Sequence, residues 1–525
     1  MAEIASIRNL LRDAWTRFGE RPALVTDNGS TSFAELGERS LCLANLLAEL
    51  GVTSRDTVGA VFSLDYDQMQ EVAFAVGELG ATRFGIPPTM LGGDGELLRT
   101  VGPKVVLYDQ TVFPGVSGWL SEVLPGARAL ATGGTKRDYE GLLASAPAAP
   151  TIESWIEPDA LAALGFTSGT TGRPKGIGAT HRSSAWSCGN MREILATIDG
   201  PDGGGVLLGI PLFAAGSGMV VPALLLGRTV YAPSRFDPEE TLRLIDRGDV
   251  VSAFLTPSMV IDLLDSPGLD DCDLSRLESI VYGTSIMPLP RIEEAVRRIG
   301  PVMLQGYGMA EVLPPVSVLY RHEHGTRERP ADDETLSSCG RPVEGVRVRV
   351  VGEDGHELPA YENGEVEVQS PGISVGYLYD QELDQATRRD GWWRSGDIGF
   401  LDGRQRLHVL ARAADVMRRD GTAVYPRLIE EALGYHEAVK EVCAVQVKPE
   451  GGILVAASLR RAHRHRLGDP TLVGELEEHM AGRLEEGLRP QEIRIFEEVP
   501  RSVQGKVLHR EVREALAREQ RPDGT

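Results

Sequence analysis

Between residues 57 and 310, short β-branched runs alternate with segments whose apolar residues recur at helical spacing, and few folds accommodate that order. TVGAVF (57–62) precedes the helix-like DQMQEVAFAVGELG, and the extended ATRFGI follows. Farther on, VLLGIPLF, TVYAP, VVSAFLTP and ESIVYG read as buried strands. Segments such as DPEETLRLIDRG separate them, with Asp237 placed to cap a helix. Strand–helix alternation of this kind makes parallel sheets covered by helices, the α/β class. Past residue 340 the texture changes. VRVRVVGEDGHELP and GEVEVQSPG predict strands joined by tight Gly turns, a small β-barrel-like unit. After ARAADVMRRDGTAVYP the pattern becomes mixed: helix PRLIEEALGY, strands EVCAVQV and GILVAASLR, a helix from Leu472 to Leu484, then a last strand and helix. A chain of 525 residues exceeds what one core usually serves. The expected division is a large N-terminal domain, residues 1–411, and a small α+β C-terminal domain, residues 412–525, with the boundary near Ala411 to Asp415.

A formal net charge of −22 argues against a partner bound through a general basic surface, so neither nucleic acid nor an anionic membrane is expected. A polyanionic substrate must be held by a few local donors, and lysine is scarce: Lys104, Lys136, Lys175, Lys440, Lys448 and Lys506 are all there are. Cys42, Cys188, Cys272, Cys339 and Cys443 are scattered without a CxxC pair, a spacing that suits neither a disulfide framework nor a zinc site. The N-terminal stretch carries Glu3, Arg8, Arg12 and Asp13 among its apolar residues, so it reads as a surface helix rather than a signal peptide. The most apolar run, Met219 to Leu226, is too short to span a bilayer, and the expected location is the cytoplasm.

LAALGFTSGTTGRPKGI, residues 161–177, carries the strongest chemical signal. An apolar strand runs into a loop of three glycines, four hydroxyl residues and Lys175. Such a loop can turn several N–H and O–H donors toward one anion, with glycine where the backbone must approach phosphate closely. GxxxxGK[ST] cannot be fitted across it, so it is not a Walker A loop.

TSGTTGRPKG resembles the phosphate-loop signature of the adenylate-forming superfamily, which takes in acyl- and aryl-CoA ligases, amino-acid adenylation domains and firefly-type luciferases. The resemblance recurs in order along nearly the whole chain. QGYGMAE (305–311), GRPVEGVRVRVV (340–351) with GEVEV (364–368) and GYL (376–378), and GWWRSGDIGFLD (391–402) are similar to the family's segments. So are the hinge motif ARAADVMRRDGTAVYPRLIE (411–430) and the lysine motif VPRSVQGKVLHREVREAL (499–516). It implies an enzyme that joins a carboxylate to the ATP α-phosphate with loss of pyrophosphate, then passes the acyl group to a thiol. It also implies a C-terminal domain that is mobile and turns between the two half-reactions.

By that resemblance Thr167, Ser168, Gly169, Thr170, Thr171, Gly172 and Lys175 hold the pyrophosphoryl end of ATP. Glu311 binds Mg²⁺, and Asp397 accepts the ribose hydroxyls with Arg412 in support. Gly283, Thr284, Ser285, Gly306, Tyr307 and Gly308 face the nucleotide. Lys506 bridges the substrate carboxylate and the α-phosphate, and Gly421 faces the incoming thiol. Phe213, Ala214, Thr284, Ser285, Met309 and Leu313 line the acid pocket. They are small or apolar, which favours an aryl or aliphatic acid. No Asp stands near Ala214 to pair an α-ammonium group, which weighs against an α-amino acid; a β-amine could meet a carboxylate elsewhere, for example Asp237.

Coenzyme A is the expected acceptor. A carrier-protein phosphopantetheine presents the same thiol, which leaves a stand-alone adenylation enzyme that loads an acyl carrier protein as the alternative. The family's usual residues are replaced at Ala310, Ala411 and Ala414, and Ala310 and Ala414 admit a third reading, a nucleotide-binding regulator without ligase chemistry.

Overall fold

The computed structural model describes residues 2–61, 66–93, 95–132, 139–150, 155–168, 174–197, 204–211, 216–448, 451–502 and 504–518. The chain divides into two units. The first is Met1–Arg235 with Met309–Pro315 and Ser370–Asp390; the second is Phe236–Gly308, Val316–Gln369 and Gly391–Thr525.

In the first unit Thr57–Val61 pairs in parallel with Thr82–Ile86 and Val105–Asp109, as the alternation predicts. Arg128–Thr132 extends that sheet on one side and Leu161–Ser168 on the other. The sheet is mixed rather than wholly parallel. Leu161–Ser168 doubles back into Pro174–Thr180 as an antiparallel hairpin, and Gly376–Tyr377 pairs antiparallel with that second arm. The cause is chain length: only five residues separate the two arms, too few for a crossover helix. A second set of strands, Gly205–Leu208, Val230–Tyr231 and Pro22–Thr26, also runs parallel. The N-terminal segment does form a helix, Ala2–Phe18, and it buries Ala14 and Trp15.

In the second unit Val250–Leu255, Ser279–Gly283 and Met303–Tyr307 are parallel, and Ser317–Leu319 closes that edge antiparallel. Asp237 caps Pro238–Asp246 by accepting from the Glu240 amide at 2.8 Å, the role its place before proline predicts. Arg347–Val351, Gly364–Gln369, Trp392–Leu401 and Leu407–Arg412 form the small antiparallel unit. The C-terminal part is α+β. Val439–Gln446, Ile453–Leu459 and Glu492–Phe496 make a three-stranded sheet, with helices Pro426–Gly434, Pro470–Ala481 and His509–Arg518. Among the described residues no helix is long and apolar enough to cross a membrane.

Under the strand ends of the second unit sits a buried polar triad. Tyr282 Oη lies 3.0 Å from His324 Nε2 and donates to Gln305 Oε1 at 3.2 Å, while His324 Nδ1 lies 3.0 Å from the Tyr320 carbonyl. Burial pushes the His324 imidazole down to about 4, against a partial pull upward from the Tyr320 carbonyl. The folded value is below the unfolded one of about 6.5. Its contribution is therefore complete above pH 6.5 and is lost as pH falls through 6.5 toward 4, a change of about 3 kcal/mol. Urea unfolding midpoints should fall across that window, and His324→Gln should flatten the dependence; parallel profiles for the two proteins would contradict this.

Candidate active site

Lys175, Glu311 and Tyr377 come together in the first unit. Lys175 is the second residue of Pro174–Thr180, in register with Thr167 across the hairpin. Tyr377 is hydrogen-bonded onto the same arm opposite Ile177. The Lys175 ammonium lies 5.6 Å from the centre of the Tyr377 ring, and Tyr377 Oη donates to Glu311 Oε1 at 2.6 Å. The Glu311 backbone is fixed in turn, its carbonyl accepting from the Ser374 amide at 2.9 Å. One aromatic side chain thus sets both the cation and the carboxylate. A single hard-oxygen carboxylate whose other oxygen can face a cation suits Mg²⁺ shared with phosphates, the coordination that ion favours.

Asp397, Tyr307 and Arg412 come together in the second unit. Strand pairing puts Asp397 opposite Arg412. Tyr307 Oη donates to Asp397 Oδ2 at 2.6 Å, and Arg412 Nε stands 3.1 Å from Oδ1. The Asp397 amide donates to Ser395 Oγ at 3.0 Å, and Arg412 Nη1 donates to the Ser395 carbonyl at 3.2 Å. Burial and the neighbouring Asp397 charge drive the Tyr307 hydroxyl well above its usual range, so it stays protonated and donating. The carboxylate side chain is 5% exposed, and a carboxylate can accept from several donors at once.

Gly283 and Gly306 are register partners where Ser279–Gly283 and Met303–Tyr307 end, and a Cβ on Gly283 would run into the Gly306 carbonyl. Thr284 follows with φ of 73°, a left-handed conformation costly for a β-branched residue. Its Oγ1 is buried with no hydrogen-bond partner among the described residues. Strain together with an unsatisfied hydroxyl marks Thr284 as a place where a ligand would relieve a cost. Ser285 beside it is exposed, Gly308 is half-buried, and Met309 and Leu313 are buried and half-buried in the first unit.

Lys506 stands in a tight loop. The Ser502 amide donates to the Lys506 carbonyl at 2.8 Å, and the Lys506 amide donates to Ser502 Oγ at 3.2 Å. Gly505 has φ of 77°, and a Cβ there would sit 2.9 Å from Thr256 Oγ1. Arg501 anchors the loop, donating to Glu441 Oε2 at 2.8 Å and Asp262 Oδ2 at 3.0 Å. Burial disfavours the Arg501 charge, but Glu441 and Asp262 outweigh it and raise its pKa. Gly421 lies at the turn between Met417–Arg419 and Thr422–Val424.

Gly169, Thr170, Thr171, Gly172, Phe213 and Ala214 lie outside the described residues, as do the side chains of Thr167 and Ser168. A cavity of about 200 Å³ lies in the first unit among Trp15, Phe74 and Cys188, and none of the predicted residues that are described lines it. Sequence reasoning missed Tyr377, Ser395 and the Arg501 anchor. Tyr377 had a signal, since it is the middle of GYL, and Arg501 lies three residues before Gln504-Gly505-Lys506.

Comparison with known proteins gives matches along the chain. Residues 11–378 match the family described as AMP-binding enzyme, and residues 428–506 its C-terminal domain. A feruloyl-CoA synthase of an Amycolatopsis species is 31% identical over 503 residues, 94% of this chain and 95% of that protein. A medium/long-chain-fatty-acid–CoA ligase, FadD8 of Mycobacterium tuberculosis, is 33% identical over 320 residues, 60% of this chain but only 54% of that protein. The structure of o-succinylbenzoate CoA synthetase from Bacillus subtilis, in complex with its acyl-adenylate intermediate, is 26% identical with a TM-score of 0.76. It covers 97% of each chain.

The Arg501 anchor can be tested alone. Arg501→Met takes the cation from the buried Glu441 carboxylate, leaving it the Ser258 hydroxyl at 2.6 Å, and should cost about 3 kcal/mol in urea unfolding. It should also speed proteolysis around residue 505. An unchanged midpoint would show the anchor to be energetically idle.

Proposed function

We propose, since the chain belongs to the AMP-binding family of adenylate-forming enzymes, among the acyl- and aryl-CoA ligases, that it couples an aryl or aliphatic carboxylic acid to coenzyme A at the expense of ATP. The observation that carries this reading is Asp397, a buried carboxylate held by Tyr307 and Arg412, an arrangement built to accept from two adjacent hydroxyls such as those of ribose. A carboxylate oxygen of the acid attacks the α-phosphorus, and the bond to pyrophosphate breaks. The thiolate then attacks the acyl carbonyl carbon and AMP leaves with the oxygen the acid supplied.

The chain's part is positioning and electrostatics. Thr167, Ser168, Gly169, Thr170, Thr171 and Gly172 give donors to the terminal phosphates, with Lys175 as the point charge. Glu311 fits Mg²⁺, which when bound neutralises phosphate charge. Tyr377 holds Glu311 in place for that task. Lys506 steadies the acid carboxylate against the α-phosphate. We assign 1–411 and 412–525 as the two domains, and the second turns about residues 411–415 to bring Gly421 toward the thiol. Supporting this, Ala413–Asp415 is a short 3₁₀ turn with no buried residue and no side-chain cap.

Acid-dependent exchange of radiolabelled pyrophosphate into ATP, across aryl, fatty, α-amino and β-amino acids, tests the first half. Lys506→Ala should lower exchange roughly 10²–10³-fold. Tyr307→Phe should raise the KM for ATP more than it lowers kcat. Adding coenzyme A should yield the thioester by mass. Exchange without a thioester would move the acceptor to a carrier-protein thiol, and ATP binding without exchange for any acid would overturn the ligase reading.

A further inference from the structure

Glu430, Cys443 and His509 offer one ligand atom each within 4.8 Å of one another, although they come from three separate elements. Glu430 is on helix Pro426–Gly434, Cys443 lies mid-strand in Val439–Gln446, and His509 opens helix His509–Arg518. A fourth group is at hand: Asp415 Oδ1 stands 3.9 Å from His509 Nδ1. Cys443 is wholly buried, walled by Val445, Leu454, Val499 and Val512. His509 Nδ1 is buried and has no hydrogen-bond partner among the described residues. Glu430 is already oriented, its Oε1 accepting from the Ala444 amide at 3.0 Å. Arg513, 3.6 Å from Asp415, is the neighbouring cation and donates to the Gln446 carbonyl.

A thiol, an imidazole nitrogen left without a partner and an oriented carboxylate facing one another in an apolar wall make a sulfur–nitrogen–oxygen donor set. We propose that Glu430, Cys443 and His509, completed by Asp415, bind a Zn²⁺ ion. Thiolate ligation excludes Mg²⁺, which takes oxygen ligands. On binding, the Cys443 thiol gives its proton to solvent and the sulfur–zinc bond forms, with no change of oxidation state. Burial and the nearby carboxylates otherwise keep that thiol protonated. The ion would tie Asp415, at the end of the 3₁₀ turn Ala413–Asp415, to the helix that begins three residues after Lys506. It is thus a staple on the segment that carries the lysine loop. The assignment stands on donor geometry and does not depend on which acid or acceptor the enzyme uses.

The test uses the full chain, stripped by dialysis against a chelator and titrated with Zn²⁺ alone or Co²⁺ alone, without nucleotide. The expected result is one zinc per chain by elemental analysis. Co²⁺ should give a thiolate-to-metal charge-transfer band in the near ultraviolet, present in wild type and in Cys272→Ser. The band should be absent in Cys443→Ser and His509→Gln. Losing any of the four ligands, Asp415 included, should weaken binding by more than the roughly 10–100-fold that loss of an outer partner costs. If Cys443→Ser fails to fold, His509→Gln at the half-buried start of its helix carries the test. Absence of stoichiometric zinc and of the cobalt band in wild type, or a band that survives both Cys443→Ser and His509→Gln, overturns the proposal.

Discussion

A chain with 76 acidic and 54 basic side chains must keep a few cations available to a polyanion without surrendering them to its own carboxylates. Many arginines here do pair internally: Arg39 with Glu71 and Glu140, Arg349 with Glu367, Arg406 with Asp402, Arg460 with Glu294. Lys440 is held by Asp262. Lys175 is placed differently. Its ammonium lies over the Tyr377 ring, which attracts it as a quadrupole while the same hydroxyl directs Glu311. On the loop that carries Lys506, it is Arg501 that takes up Glu441 and Asp262. Charge arrangement, more than the number of charges, lets an acidic protein hold anions.

The same economy explains how far the sequence could be read. Strand–helix alternation predicted the parallel strands because burial on both faces leaves a continuous apolar signature in a short window. Asp237 was legible for a similar reason, since a cap and its helix are neighbours in the chain. The antiparallel return of Leu161–Ser168 into Pro174–Thr180 was not, because a glycine-containing loop reads the same whichever way the next strand points. Pairings between distant residues left still less trace. Tyr377 with Glu311, Tyr307 with Asp397 and Arg501 with Asp262 are 66, 90 and 239 positions apart. The spacing of five scattered cysteines argued against zinc, yet folding sets Cys443 beside Glu430 and His509. Ligands drawn from separate elements have no sequence spacing to read.

The resemblance implied roles, and the geometry shows what stands at those positions: a buried Asp397 beside Tyr307 and Arg412, a carboxylate and a cation set by one tyrosine, and a strained Thr284 with a buried hydroxyl unsatisfied among the described residues. These are preorganised groups, whose cost is met in folding rather than at the moment of reaction.

The central claim is that a carboxylate oxygen bonds to the α-phosphorus of ATP. It is tested most directly by following that oxygen. A carboxylic acid labelled with heavy oxygen in its carboxyl group, turned over with ATP and coenzyme A, should deliver one labelled oxygen to AMP and none to pyrophosphate. Label in inorganic phosphate or pyrophosphate, or ADP in place of AMP, would contradict the account.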